Sequence, residues 1–66
     1  MDESELIHEV NVAVEEAIRL FNENHPGADR EQAKNLIIQI GEVVKEKNYT
    51  KALALATKAQ TVARGT

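Results

Sequence analysis

Apolar residues recur every three or four positions along almost the whole chain, and only two places interrupt this spacing. A step of three or four puts side chains on one face of an α-helix, whereas a strand would alternate with period two. The first interruption contains Pro26 and Gly27. The second lies at 47–49, where we expect Asn48 to end a helix in the left-handed conformation. The sequence therefore predicts an all-α chain of three helices.

The first predicted helix covers about residues 3–23. Asp2 followed by Glu5 fits a capping box at its start. Its apolar stripe repeats at steps of three and four, through Ile7, Val10, Val14, Ala17 and Phe21. Four further apolar residues widen the stripe on its flanks: Leu6, Ala13, Ile18 and Leu20.

The second and third predicted helices cover about residues 30–47 and 49–64. Asp29 and Gln32 form a second capping-box pattern. The apolar face of the second helix holds mostly large residues: Ala33, Leu36, Ile37, Ile40, Val43 and Val44. The face of the third is mostly small: Tyr49, Ala52, Ala56, Ala59 and Ala63. Because small side chains let helix axes approach closely, we expect a small antiparallel three-helix bundle, with residues 1–66 as a single domain.

Length and composition limit what such a chain can do. A domain of 66 residues buries only about 60% of the surface that its unfolded chain exposes. The chain has no cysteine, so no disulfide can support the fold. The longest apolar run, Leu36-Ile37-Ile38, is far shorter than the roughly 20 residues of a membrane-spanning helix. The acidic start differs from a secretory signal, and we expect a cytoplasmic protein that does not bind membranes.

Charge is divided unevenly along the chain. Residues 1–28 contain seven acidic residues against one arginine, whereas residues 29–66 contain seven basic residues against four acidic ones. One interpretation is a split surface that attracts partners; the other, which we favour, is that the two halves attract each other within one fold.

The second half of the chain contains a pattern of one tyrosine followed by small residues. This pattern resembles the second helix of a tetratricopeptide-type unit, in which small residues follow the tyrosine by three, seven and ten positions. The matching residues here are Tyr49, Ala52, Ala56 and Ala59. Counting back along the same pattern, its large residue and a later apolar contact fall on Leu36 and Val43. The chain departs from the pattern at Gln39, Ile40 and Lys47.

The same run is similar to helical hairpins of microtubule-interacting-and-trafficking domains, which are three-helix modules that bind short helical peptides. Either resemblance covers about residues 33–64. Both imply a helical hairpin with a protein or peptide partner. Residues 1–28 contain no second copy of the pattern, so the groove of a multi-repeat array is not expected.

Residues for catalysis or metal binding are few. Ser4 is the only serine and lies near the terminus, and His8 and His25 are the only histidines. Glu5 and His8 have the Glu-x-x-His spacing of di-metal helical bundles, but those sites need further inward carboxylates, and a solvated ion pair is favoured. We expect no enzyme activity, no cofactor and no metal. We also expect no nucleic-acid binding, because the pI is 5.3 and the chain has two aromatic residues.

Apolar residues on otherwise polar helix faces indicate a contact surface. Val12, Ile38 and Leu53 each lie among charged or polar neighbours on their helix. Ile38 and Leu53 belong to adjacent helices, and side by side they would form a patch that takes a partner's amphipathic helix. The partner-binding residues predicted on this helix 2/helix 3 surface are Ile38 and Leu53 as anchors, with Lys34, Lys45, Lys51 and Lys58 selecting an acidic partner.

Self-association is the alternative function. The apolar stripe of the first helix, with its flanks, is wider than a helical hairpin can cover, and a homodimer would bury the excess. A third interpretation takes the 66 residues as one domain of a longer chain.

Overall fold

The computed structural model describes residues 2–65 and contains three α-helices. Helix α1 spans Glu3–Glu23, α2 spans Arg30–Lys45, and α3 spans Tyr49–Arg64. No strand occurs in the described part of the chain. The prediction of a small all-α, three-helix bundle is therefore confirmed. None of the helices within residues 2–65 combines the length and apolar character needed to cross a membrane.

Each helix begins at a side chain that accepts a hydrogen bond from a backbone amide three residues later. Asp2 Oδ1 accepts from the N–H of Glu5 at 3.0 Å, and Asp29 Oδ1 accepts from the N–H of Gln32 at 3.0 Å. Both starts agree with the sequence pattern. Such a bond satisfies one of the four amides that have no partner within the helix.

The turn between α2 and α3 differs from the prediction. Helix α2 ends at Lys45, two residues earlier than expected, and the left-handed residue is Lys47 (φ 62°) rather than Asn48. The N–H of Lys47 donates to the carbonyl of Val44, and that of Asn48 to the carbonyl of Val43, each at 2.9 Å. Asn48 has a negative φ and accepts from the N–H of Lys51 at 3.3 Å. The asparagine therefore starts α3, and the residue before it reverses the chain.

Helix α3 is the central helix of the bundle. It packs against both α1 and α2 along their lengths, whereas α1 and α2 contact each other much less. Its core positions are four fully or almost fully buried alanines: Ala52, Ala56, Ala59 and Ala63. Because alanine lets helix axes approach closely, both outer helices pack tightly on α3. The prediction of a small-residue contact face is confirmed.

The contact face of α1 is rotated relative to the predicted stripe. Leu20, expected on the flank, is only 4% exposed, and it is buried together with Val10 and Ala17. Ile7, Val14 and Phe21 were expected at the centre of the stripe but are only half-buried. Helix α1 packs mainly on α3 and little on α2, so its buried residues are those that face α3. A half-buried apolar edge of α1 consequently faces α2.

Candidate functional site

A groove lies between α1 and α2, on the side of the bundle away from α3. We call it the α1/α2 groove. One end brings α1 residues such as Val10 and Val14 beside Gly41 and Val44 of α2. The other end brings Phe21 of α1 beside the early part of α2. The beginning of α1 therefore lies beside the end of α2, and the two helices are antiparallel. The main apolar side chains of the groove are Val14, Ile18, Phe21, Ile37, Ile38 and Val44.

Two large apolar side chains stand on opposite edges of the α1/α2 groove. Ile18 on α1 is 40% exposed and Ile38 on α2 is 51% exposed. They line the same end of the groove, together with Phe21 and Ile37. Single exposed apolar residues are normal on protein surfaces. Here they adjoin the half-buried Phe21 and Ile37, and Ile37 also lines the other end of the groove.

Gly41 leaves open space at the end of this groove that Val14 and Val44 line. It lies inside α2, where glycine is less favourable than alanine by about 1 kcal/mol. A Cβ atom built at this position would meet nothing within 4 Å. The chain's own packing therefore gives no reason for a glycine here. The missing side chain leaves room for a group from outside the fold.

Charged side chains border the apolar surface. On α2, Lys34 lines the groove, and helical spacing places Lys45 on the same face as Ile38 and Gly41. On α1, Glu15 lines the groove. At the end near the connection of α1 to α2, the guanidinium of Arg30 lies 4.1 Å from the centre of the Phe21 ring. The α2 edge therefore carries Lys34 and Lys45 together with Glu42, which helical spacing also places on the face of Ile38. The α1 edge carries an acid.

A second depression lies between α1 and α3. It contains Val12, which is 51% exposed, and Leu53, which is half-buried against the core. The amide of Gln60 Nε2 donates to the backbone carbonyl of Ala13 across this depression at 2.9 Å. The hydrogen bond ties α3 to α1.

The α1 edge of this second depression neutralises part of its own charge. Arg19 pairs with Glu16 and Glu23 on the same helix. The hydrogen bond from Arg19, supported by its charge, holds the pKa of the Glu16 carboxyl below its usual value. The same pairing raises the pKa of the Arg19 guanidinium. Arg19, Glu16 and Glu23 are therefore already paired with one another within α1.

The structure separates the predicted site residues. Ile38 lines the α1/α2 groove and Leu53 lines the depression between α1 and α3, so the single patch expected from these two side chains does not form. Lys34 lines the α1/α2 groove, and Lys45 lines neither depression but shares the α2 face of Ile38 by helical spacing. Lys51 and Lys58 are exposed on α3 and line neither surface. The partner-binding role of each residue stays a prediction.

Sequence reasoning missed two residues of the α1/α2 groove. Ile18 is expected on the flank of the α1 stripe, and the sequence pattern assigns no role to Gly41. The available signal is the glycine itself, because glycine inside a helix costs about 1 kcal/mol relative to alanine.

The polar side chains of the described residues are mostly exposed, and none of these polar residues is buried. His8 is exposed, and His25 Nε2 lies 2.7 Å from Glu23 Oε1. Within residues 2–65, no three side chains suited to metal binding lie together, and no buried side-chain polar atom lacks a hydrogen-bond partner. What the α1/α2 groove offers a ligand is apolar surface with charged edges.

Comparisons of this chain with models of protein families, with curated proteins and with solved structures give no match.

Proposed function

We propose that this chain is a non-enzymatic protein–protein interaction module whose α1/α2 groove receives an apolar helical surface of a protein partner. One observation carries the proposal. Helices α1 and α2 both pack on α3 but little on each other, so large apolar side chains remain open between them. A groove between two helices suits a further helix, which packs through an apolar stripe of its own.

The size of the apolar surface supports such docking. Full burial of an isoleucine side chain contributes about 1.5–3 kcal/mol. Ile18 and Ile38 are already about half-buried, so covering them would add roughly 1 kcal/mol each. Gly41 would let the backbone of a docked helix come close to α2.

The experiment is a selection of amphipathic helical peptides displayed on phage against the immobilised chain. Selected peptides are then tested on two variants, Ile38→Asp and Val12→Asp. The two positions are matched, because both side chains are 51% exposed and lie in the middle of a helix. Circular dichroism checks that both variants keep their helix content.

We expect Ile38→Asp to lose peptide binding and Val12→Asp to retain it. The proposal is overturned if no peptide is enriched, or if the selected peptides bind Ile38→Asp as tightly as the unchanged chain. Peptides that lose binding only to Val12→Asp would place the interaction surface between α1 and α3 instead.

A further inference from the structure

We infer that the occupant of the α1/α2 groove is a second copy of this chain, related to the first by a two-fold axis that runs along the groove. This inference rests on the proposed function, because it uses the same surface. In the resulting dimer, α1 of each copy lies over α2 of the other. The interface is self-complementary, as a two-fold interface must be.

The thin core of the chain favours this occupant. Six of the eleven buried apolar residues are alanines, and none of the larger side chains in the described residues 2–65 is fully buried. Several larger apolar residues of α1 and α2, among them Phe21 and Ile37, remain half-buried at the groove. A second copy would bury them in every molecule, so the chain would complete its core by association.

The opposite net charges of α1 and α2 favour one arrangement of the two copies. Helix α1 carries six acidic residues and one basic residue, whereas α2 carries three basic residues and two acidic ones. A two-fold axis along the groove places the acidic helix of one copy over the basic helix of the other. Glu15 then faces the edge of α2 that carries Lys34 and Lys45, with Glu42 between them. An axis across the groove would instead place α1 over α1, where like charges repel.

The dimensions of the molecule allow a stable interface. The chain measures 37 × 18 × 15 Å and exposes 4394 Å². A standard interface buries about 800 Å² of each partner, which is less than a fifth of that surface.

Size-exclusion chromatography with light scattering over a range of concentrations tests the inference. We expect the unchanged chain to approach twice 7.3 kDa as its concentration rises. Ile38→Asp should raise the dimer dissociation constant roughly tenfold or more, as for a central interface residue. Gly41→Arg should do the same without disturbing the fold, since its side chain enters open space. The matched control Val12→Asp should dimerise like the unchanged chain.

A mass near 7.3 kDa at every concentration would overturn the second-copy inference, while the peptide selection would still decide the proposed function. A dimer that persists in both Ile38→Asp and Gly41→Arg would also overturn the inference, because another face would then hold the copies together.

Charge reversal tests the axis. Glu15→Lys alone and Lys34→Glu with Lys45→Glu should each weaken the homodimer, because each brings like charges together in both halves of the interface. Mixing the two variants should restore dimerisation, since position 15 of each copy then faces the opposite charge at positions 34 and 45 of the other. If neither reversal changes the dissociation constant of the dimer, the copies do not meet as proposed.

Discussion

Replacing Gly41 by alanine adds a methyl group to α2 at a point where the fold leaves open space. No atom lies within 4 Å of the added Cβ, so the substitution meets no steric resistance. Alanine in a helix interior is more favourable than glycine by about 0.5–1 kcal/mol. In a domain of this size, 1 kcal/mol corresponds to a change of about 4–8 °C in Tm. We therefore expect Gly41→Ala to raise Tm by about 2–8 °C.

Thermal unfolding followed by circular dichroism measures this change, with the chain dilute enough to be monomeric. Gly65→Ala is the matched control, because the same methyl group is added where the fold has no room. Gly65 has a φ of 83°, and its added Cβ would lie 2.7 Å from the carbonyl oxygen of Pro26 and 2.9 Å from the amide nitrogen of Ala28. Both neighbours are backbone atoms, so we expect Gly65→Ala to lower Tm.

A fall in Tm for Gly41→Ala would show that α2 is closely packed at Gly41, which contradicts the open space around this residue. A rise in Tm for Gly65→Ala would refute the account of the end of α3.

Three further predictions concern α1 and α3. Ala56→Leu should lower the free energy of unfolding in urea by about 1–3 kcal/mol, because Ala56 is fully buried between close helices, whereas Leu at the exposed Ala54 should change it little. Equal stability of the two variants would contradict the close packing of α3. Gln60→Ala should cost about 0.5–1.5 kcal/mol in the same assay through loss of the hydrogen bond to α1, and no loss would show that this bond adds nothing. Arg19→Gln should raise the pKa of Glu16 towards its usual 4.5 in an NMR titration. Because the folded-state pKa of Glu16 is lowered, the pair stabilises the fold at pH values above the unfolded-state pKa. This stabilisation is lost as the pH falls through the folded-state pKa. An unchanged Glu16 pKa in Arg19→Gln would contradict the pairing.

The helices could be predicted from sequence because their signals are local. The caps at Asp2 and Asp29 depend on residues three positions apart, and the alanine face of α3 depends on helical spacing. The left-handed conformation of Lys47 could not be predicted from such local signals. Asparagine favours both the left-handed conformation and the start of a helix, and the position of the next helix decided between them.

The candidate site depended on tertiary packing that spacing alone does not determine. A helical wheel identifies Ile38 and Leu53 as apolar residues on polar faces, but it does not show which neighbouring helix each one faces. The central position of α3 turns Leu53 towards α1 and leaves Ile38 at the α1/α2 groove. Ile18 became a groove residue only because α1 rotates its buried face towards α3.

The α1/α2 groove is the surface proposed to bind a second copy of this chain. The most direct test is a dilution series of the ¹⁵N-labelled chain, followed by the positions of its backbone amide signals in NMR spectra. We predict concentration-dependent shifts at Ile18, Ile38 and Gly41, with Val12 and Leu53 unchanged. Shifts confined to Val12 and Leu53, or amide signals that stay fixed at all concentrations, would contradict the claim.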